Sequence, residues 1–321
     1  MRLHNLDLIK GILILLVVLG HVLQGSLQDN IIRSLIYSFH MPLFIGLSGY
    51  LCNYSSLADL TFSDLIKKYL FRMILPWCIA MFVYSIVLAH GFDRIHLVES
   101  FTENFSNPYY HLWFIPAFFS WLLFSWMMSR LGFSGKKLFV AAILISLVSQ
   151  IYNTYPEIIH SPVLSGEVFK ESFYTLRPYN YIYFVVGMLF RKTNLSAPGL
   201  KDWLIPFSGS VIVVYLFFSP DKTINLINSF LFNIALLYLI LKLISNNKLI
   251  RIPFFEWLGI NSLAIYLWHV LPLLFAKGML DESKEWVFYP VMFVLNSILL
   301  IVYYYTSKLS FFKKYVYGLS R

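Results

Sequence analysis

The sequence predicts an all-α polytopic membrane protein of about ten transmembrane helices, with N- and C-termini cytoplasmic, forming one membrane domain over residues 1–321. Three observations carry this prediction. The chain is 59% hydrophobic and only 13% charged, with mean hydropathy +0.69, whereas a soluble domain carries about a quarter charged residues. Apolar windows of about 20 residues, the length that crosses a bilayer, recur along the whole chain. Lysine and arginine are unevenly shared between alternate loops.

The windows are 8–27, 36–54, 68–90, 110–130, 137–153, 177–192, 203–219, 224–243, 258–277 and 286–307. The first follows Asp7 and Lys10. It reads as a retained helix rather than a cleaved leader, because no small-residue cleavage pattern follows Gly20 and further spans come directly after. The second holds Pro42 near its start, where proline is sterically tolerable, and Ser48-Gly49-Tyr50, which allows close helix approach. The third opens on Lys67, Lys68 and Arg72 with Pro76 one turn on, and the fourth opens on His111-Leu112-Trp113-Phe114. The fifth and sixth are short, and the sixth begins with the polar Arg177-Pro178-Tyr179-Asn180. The ninth carries Asn261-Ser262-Leu263-Ala264-Ile265-Tyr266-Leu267-Trp268-His269. Tyr109, Tyr110, Trp113, Trp203, Trp257 and Trp286 lie near window ends, as interfacial aromatic belts require.

The loops orient the windows. With the N-terminus inside and ten alternating spans, 18 of the 25 lysines and arginines fall on the cytoplasmic side and 7 outside, the asymmetry of the positive-inside rule. The outer loops 91–109 and 154–176 are too short to be separate domains, and no linker or internal repeat is visible. The net charge of +9 follows this loop pattern rather than an aromatic-interleaved patch, so nucleic acid is not an expected partner. Cys52 and Cys78 both sit in apolar runs and are expected as free, buried thiols. No metal signature, Walker loop or GxSxG elbow appears.

Ionisable groups at membrane depth are the candidates for function, because each is costly unless it faces a cavity or a partner. His21 lies eleven residues after Lys10, or about 16 Å along a helix. With Lys10 near the cytoplasmic surface, His21 falls in the outer half of the bilayer. His40 opens the second span, His111 the fourth and Arg177 the sixth, so all four could edge one outward-facing cavity. His269 falls near the midplane. Each histidine also has a plain alternative, a neutral ring bonded to a backbone carbonyl. Lys68 and Arg72 are four apart, on one face of an α-helix, and with Lys10 they offer a seat for phosphates. Taken singly, they could equally be positive-inside anchors.

The motifs Asp7-x2-Lys10-Gly11-Ile12 with Val17-Val18-Leu19-Gly20-His21, Phe39-His40-Met41-Pro42-Leu43-Phe44 and Leu47-Ser48-Gly49-Tyr50 resemble those of the membrane acyltransferase-3 family. Its fucose 4-O-acetylase-like branch is the most similar. The resemblance continues through His111–Pro116, Phe184–Met188 and Asn261–His269 and so covers most of the chain. It implies ten spans and transfer of an acyl group, usually acetyl, from cytoplasmic acyl-CoA to a carbohydrate hydroxyl at the outer face. The family's Arg/Lys-x10-His motif falls on Lys10 and His21. Its Arg-x3-Arg motif falls on Lys68 and Arg72, with lysine replacing the first arginine and losing its bidentate fork.

The resulting expectation has Lys10, Lys68 and Arg72 holding the phosphates of acetyl-CoA or another acyl-CoA. His21 is the catalytic residue, as general base or acyl carrier, and His40, His111, Arg177 and His269 serve substrate binding. The acceptor is a cell-envelope glycan or lipid-linked sugar, reached by a multi-pass protein among the lipids of a bacterial cytoplasmic membrane, with no metal. The rival reading is an exporter or transporter with a histidine proton relay. Transporters tend to show paired repeats with broken helices, and none is visible in the sequence.

Overall fold

The computed structural model describes residues 4–88, 94–156, 166–191, 195–245, 251–280 and 285–319. In chain order its first helices are α1 (His4–Val22), α2 (Ile31–Tyr50), α3 (Tyr54–Leu57), α4 (Phe62–Tyr69), α5 (Leu75–Leu88), α6 (Arg94–Ser106), α7 (Phe114–Arg130) and α8 (Gly135–Thr154). There follow α9 (Glu167–Leu176), α10 (Tyr181–Phe190), α11 (Leu200–Phe218), α12 (Lys222–Ser245), α13 (Pro253–Ile260), α14 (Ser262–Trp268), α15 (Val270–Met279) and α16 (Glu285–Thr306). No strand occurs among the described residues.

Eight helical runs among the described residues are long and apolar enough to cross a membrane, and they fall on eight of the predicted windows. The fourth and sixth windows fall on shorter helices. α7 has 17 residues. α10 has only 10, and Tyr181 through Met188 are all buried by protein. Two stretches expected as outer loops contain α6 and α9. Asn104 Nδ2 of α6 donates to Ser85 Oγ at 3.0 Å, docking that helix on α5, and α9 buries Phe173. The ninth window is broken at Asn261, whose backbone leaves the helix (φ −98°, ψ 10°), and again at His269. Cys52 is buried and Cys78 half-buried.

The chain forms two compact units. The first comprises Met1–Asp59, Ser120–Ser165 and Arg177–Ile260. Its helices start where side chains satisfy the free N–H groups of a first turn. Asn30 accepts from Arg33 N at 3.0 Å ahead of α2, and Asp221 Oδ1 accepts from Ile224 N at 2.8 Å ahead of α12. α10 begins after a 3-10 turn at Pro178–Asn180, and Ser146 Oγ of α8 accepts its Ile182 N–H at 3.0 Å.

Helix packing within a membrane relies on close backbone approach and polar cross-links rather than on the hydrophobic effect. α1 and α13 cross so tightly that a Cβ on Gly11 would lie 1.8 Å from the Phe255 carbonyl oxygen. α2 and α10 cross as tightly: a Cβ on Gly49 would lie 2.0 Å from the Phe184 carbonyl oxygen, and one on Gly187 would lie 1.8 Å from the Gly46 carbonyl oxygen. Asn5 Nδ2 donates to the Leu243 carbonyl at 3.1 Å, and Asn233 Nδ2 donates to the Ser38 carbonyl at 2.9 Å. Lys242 Nζ pairs with Asp202 Oδ2 at 2.9 Å.

The second unit comprises Leu60–Phe119, Gly166–Leu176 and Asn261–Arg321. Thr61 and Asp64 form a capping box at the start of α4. Between α4 and α5 the helix widens into a π turn, Leu70–Ile74. Pro76 explains the place: it has no N–H for the Arg72 carbonyl four residues back, and its ring crowds that carbonyl. A second π turn, Phe312–Val316, packs here, with Tyr315 against Phe71 at 5.9 Å between ring centroids. Gly318, at φ +63°, lies against the Arg72 backbone.

Candidate active site

The first unit brings His21 and His40 to one aromatic bridge, Tyr37. His21 is near the end of α1 and half-buried, and its Nδ1 shares a hydrogen bond with Tyr37 Oη at 2.9 Å. The Tyr37 ring meets His40 edge-on at 5.0 Å between centroids. His40 is 3% exposed, and its Nδ1 lies 2.7 Å from the Ile36 carbonyl oxygen. A carbonyl only accepts, so Nδ1 carries the proton and Nε2 is the basic nitrogen. Two further groups fix Tyr37. The Arg33 guanidinium sits 5.4 Å from the ring centroid. On α1, a Cβ at Gly20 would stand only 3.0 Å from Tyr37 Cε2. Gly20 thus lets the tyrosine ring come close to the helix that carries His21.

Tyr37 was not among the residues singled out from the sequence. Its signal was its place three residues before His40, on the same face of α2. Lys10, eleven residues before His21, is half-buried on α1. Arg177, in the same unit, has a left-handed backbone (φ 43°) and precedes the 3-10 turn into α10.

The second unit brings His111 and His269 together, with ring centroids 5.0 Å apart at 73°. His111 is 2% exposed. Its Nε2 donates to the Leu267 carbonyl at 3.3 Å, which makes Nδ1 the acceptor, and this buried nitrogen has no hydrogen-bond partner among the described residues. His269 Nδ1 donates to the Tyr266 carbonyl at 2.8 Å and the Ile265 carbonyl at 3.1 Å. An aromatic shell holds the pair. Tyr84 Oη donates to the Leu267 carbonyl at 3.1 Å, and Tyr266 Oη donates to the His111 carbonyl. Trp77 Nε1 donates to the Leu112 carbonyl at 3.0 Å. Tyr110, beside His111, is left-handed at φ 40°. It and Arg177 are the two non-glycine residues with positive φ among those described, and such backbone persists where the surroundings over-determine it.

Lys68 and Arg72 are exposed. The π turn Leu70–Ile74 begins between them and contains Arg72, and its wider i→i+5 bonding shifts Arg72 around the axis from the single-face placement that an unbroken α-helix implies. Among the described residues, no group of three or more His, Cys, Asp or Glu side chains could hold a metal ion.

The acyltransferase-3 model, described as an acyltransferase domain, matches residues 3–305. The chain belongs to this family. Together with the eight apolar helices, family membership makes it a multi-pass membrane protein. Curated relatives include nodulation protein NolL of Sinorhizobium fredii, 28% identical over 199 residues, or 58% of this chain and 48% of the relative. NolL of Mesorhizobium japonicum is 29% identical over 174 residues, or 47% of this chain and 45% of the relative. The chain thus spans about half the length of the curated relatives it matches. No solved structure matches it.

Proposed function

We propose that the protein is an integral membrane O-acyltransferase that moves an acetyl group from acyl-CoA to a hydroxyl of a cell-envelope carbohydrate. The observation that carries this reading is the family match over residues 3–305, joined to a histidine on α1 whose Nδ1 is engaged by Tyr37 at 2.9 Å.

In the productive tautomer, His21 Nδ1–H donates to Tyr37 Oη, so Nε2 carries the lone pair. Nε2 takes the proton of the sugar hydroxyl as its oxygen attacks the thioester carbonyl. The tetrahedral adduct collapses with cleavage of the C–S bond, and the imidazolium returns its proton to the departing thiolate. A base with a pKa near neutrality suits this exchange. Tyr37 is the orienting third group, as a nucleophile–base pair requires.

The excess of lysine and arginine in alternate loops supports both termini in the cytoplasm. Lys10, Lys68 and Arg72 then face the compartment that holds acyl-CoA, and His21 lies about 16 Å deeper, where the acyl group meets an acceptor from the outer side. His40, His111, Arg177 and His269 bind the acceptor. The orphaned Nδ1 of His111 suits a sugar hydroxyl, because a buried acceptor is costly until a donor reaches it. The bacterial relatives support a bacterial cytoplasmic membrane as the location.

The test is transfer of label from acetyl-CoA to membrane glycans by the wild type and by His21→Ala. Loss of transfer in a folded, inserted His21→Ala protein is expected. Full transfer by that variant removes His21 from catalysis. Movement of glycan across the membrane by the wild type without acylation makes the protein an exporter instead.

A further inference from the structure

Arg33 is a charge beside the candidate site that the proposed mechanism does not use. It lies in the first turn of α2, four residues before Tyr37 and in the same unit as His21. Four residues are about one turn, or roughly 6 Å along the axis. The guanidinium stands 5.4 Å from the Tyr37 ring centroid, and Tyr37 Oη is 2.9 Å from His21 Nδ1. A fixed positive charge therefore sits one turn from the tyrosine that touches the proposed base.

Among the described residues no acidic side chain forms an ion pair with Arg33. Asp29, four residues earlier, accepts instead from the N–H and the hydroxyl of Ser26. Nor does the helix itself stabilise the charge, since its first turn is the positive end of the macrodipole and holds no acidic residue. Of the five N–H donors of a guanidinium, only one, on Nη1, meets an acceptor among the described residues, the Gly25 carbonyl. An arginine that only anchored a helix end to lipid headgroups would snorkel outward. Arg33 is half-buried, its Nε is enclosed by protein, and its head is turned over Tyr37. Its place also matters. In the orientation that the lysine and arginine asymmetry supports, α2 begins at the outer face. Arg33 then lies on the side from which the acceptor comes, remote from the phosphates of acyl-CoA.

We propose that Arg33 seats the anionic group of an acidic acceptor: a carboxylate or phosphate carried within about one sugar unit of the hydroxyl that receives the acetyl group. The proposal rests on the acyltransferase reading above and adds the chemical class of its acceptor. A guanidinium reads either anion through a planar two-donor fork. Arg33 is thus a specificity residue, touching the acceptor and not the reacting atoms. A neutral glycan leaves the guanidinium without its partner and is the poorer substrate.

The purified full chain tests it, with labelled acetyl-CoA and membrane glycans that anion exchange has divided into acidic and neutral fractions. The acidic fraction is expected to take the label with an apparent KM at least about tenfold lower. Arg33→Gln keeps a donor for the Gly25 carbonyl and removes the charge. It should erase that preference, with the loss falling on KM rather than kcat. Added salt should raise the wild-type KM for the acidic fraction and leave that of Arg33→Gln alone. Arg33→Lys keeps the charge without the fork and should fall between the two. Carbodiimide-directed reduction of carboxylates and mild acid cleavage of sugar phosphates tell the two anions apart, and one of these treatments should abolish the preference. The proposal is overturned if the wild type acetylates both fractions alike, or if the preference survives both treatments. It is also overturned if Arg33→Gln, melting like the wild type, keeps the wild-type KM and only sheds a co-purified phospholipid. A loss confined to kcat overturns it too, making Arg33 a support for Tyr37. If the wild type acetylates neither fraction, the acyltransferase reading falls and takes this proposal with it.

Discussion

Gly11→Ala tests how α1 is held in place. A Cβ at Gly11 lies 1.8 Å from the Phe255 carbonyl oxygen, where ordinary contact begins at 3.4 Å. The reciprocal position is as tight, since a Cβ at Gly259 lies 1.8 Å from the Asp7 carbonyl oxygen. Both obstacles are helix backbone, so no side chain can swing aside. The helices must part by about 1.6 Å, the difference between those two distances. Overpacking typically costs about 1–3 kcal/mol, and a backbone clash belongs at the upper end. The displaced helix carries both Lys10 and His21. Under the proposed function these residues belong to the site, and misplacement of catalytic groups by about 1 Å costs on the order of 100-fold in rate. The expected result is a lower melting temperature for the detergent-solubilised protein and, for the proposed acetyl transfer, a rate about 100-fold lower. Ile12→Val, at a position 40% exposed, is the control and should change neither. A Gly11→Ala protein that melts and transfers like the wild type refutes the backbone-contact argument.

Other perturbations probe separate features. Tyr37→Phe keeps the ring between Gly20 and His40 but removes the hydroxyl on His21 Nδ1; kcat should fall about tenfold with KM unchanged, and an unchanged kcat removes Tyr37 from the site. Lys242→Met strands Asp202, its partner at 2.9 Å, so it should melt lower than Lys242→Met combined with Asp202→Leu; equal melting shows that the pair is not coupled. Gly318→Ala puts a side chain at φ +63° and 2.1 Å from the Arg72 carbonyl oxygen, so the C-terminal turn should become sensitive to limited proteolysis, and wild-type resistance contradicts its docking.

Much of the architecture could be read from the chain because lipid imposes a simple rule. Long apolar helices satisfy their own backbone, and window length alone located eight of them. What escaped was set by neighbours. Nothing in Tyr181–Phe190 says that it is buried on all sides, since a fully apolar helix reads alike whether lipid or protein surrounds it. The π turn at Leu70–Ile74 precedes Pro76, but proline alone does not specify how the turn before it opens, and the i, i+4 relation of Lys68 and Arg72 holds only in an unbroken α-helix. Among the candidate residues, the pairing of His111 with His269 needed a tertiary contact across 158 positions of sequence. Tyr37 was missed because tyrosine near a span end is common and usually interfacial.

The short α10 has a consequence for how the protein is made. Ten residues rise about 15 Å, half of what the hydrocarbon core demands. Such a segment, led by the polar Asn180, is a poor substrate for one-at-a-time insertion. Its cradle is ready, however: α2, which it crosses at Gly46 and Gly49, and α8, whose Ser146 receives its first N–H, both leave the ribosome before it. α10 is therefore threaded into a partly assembled protein rather than into lipid. Faults in α2 or α8 should surface first as misrouting of the chain that follows Phe190.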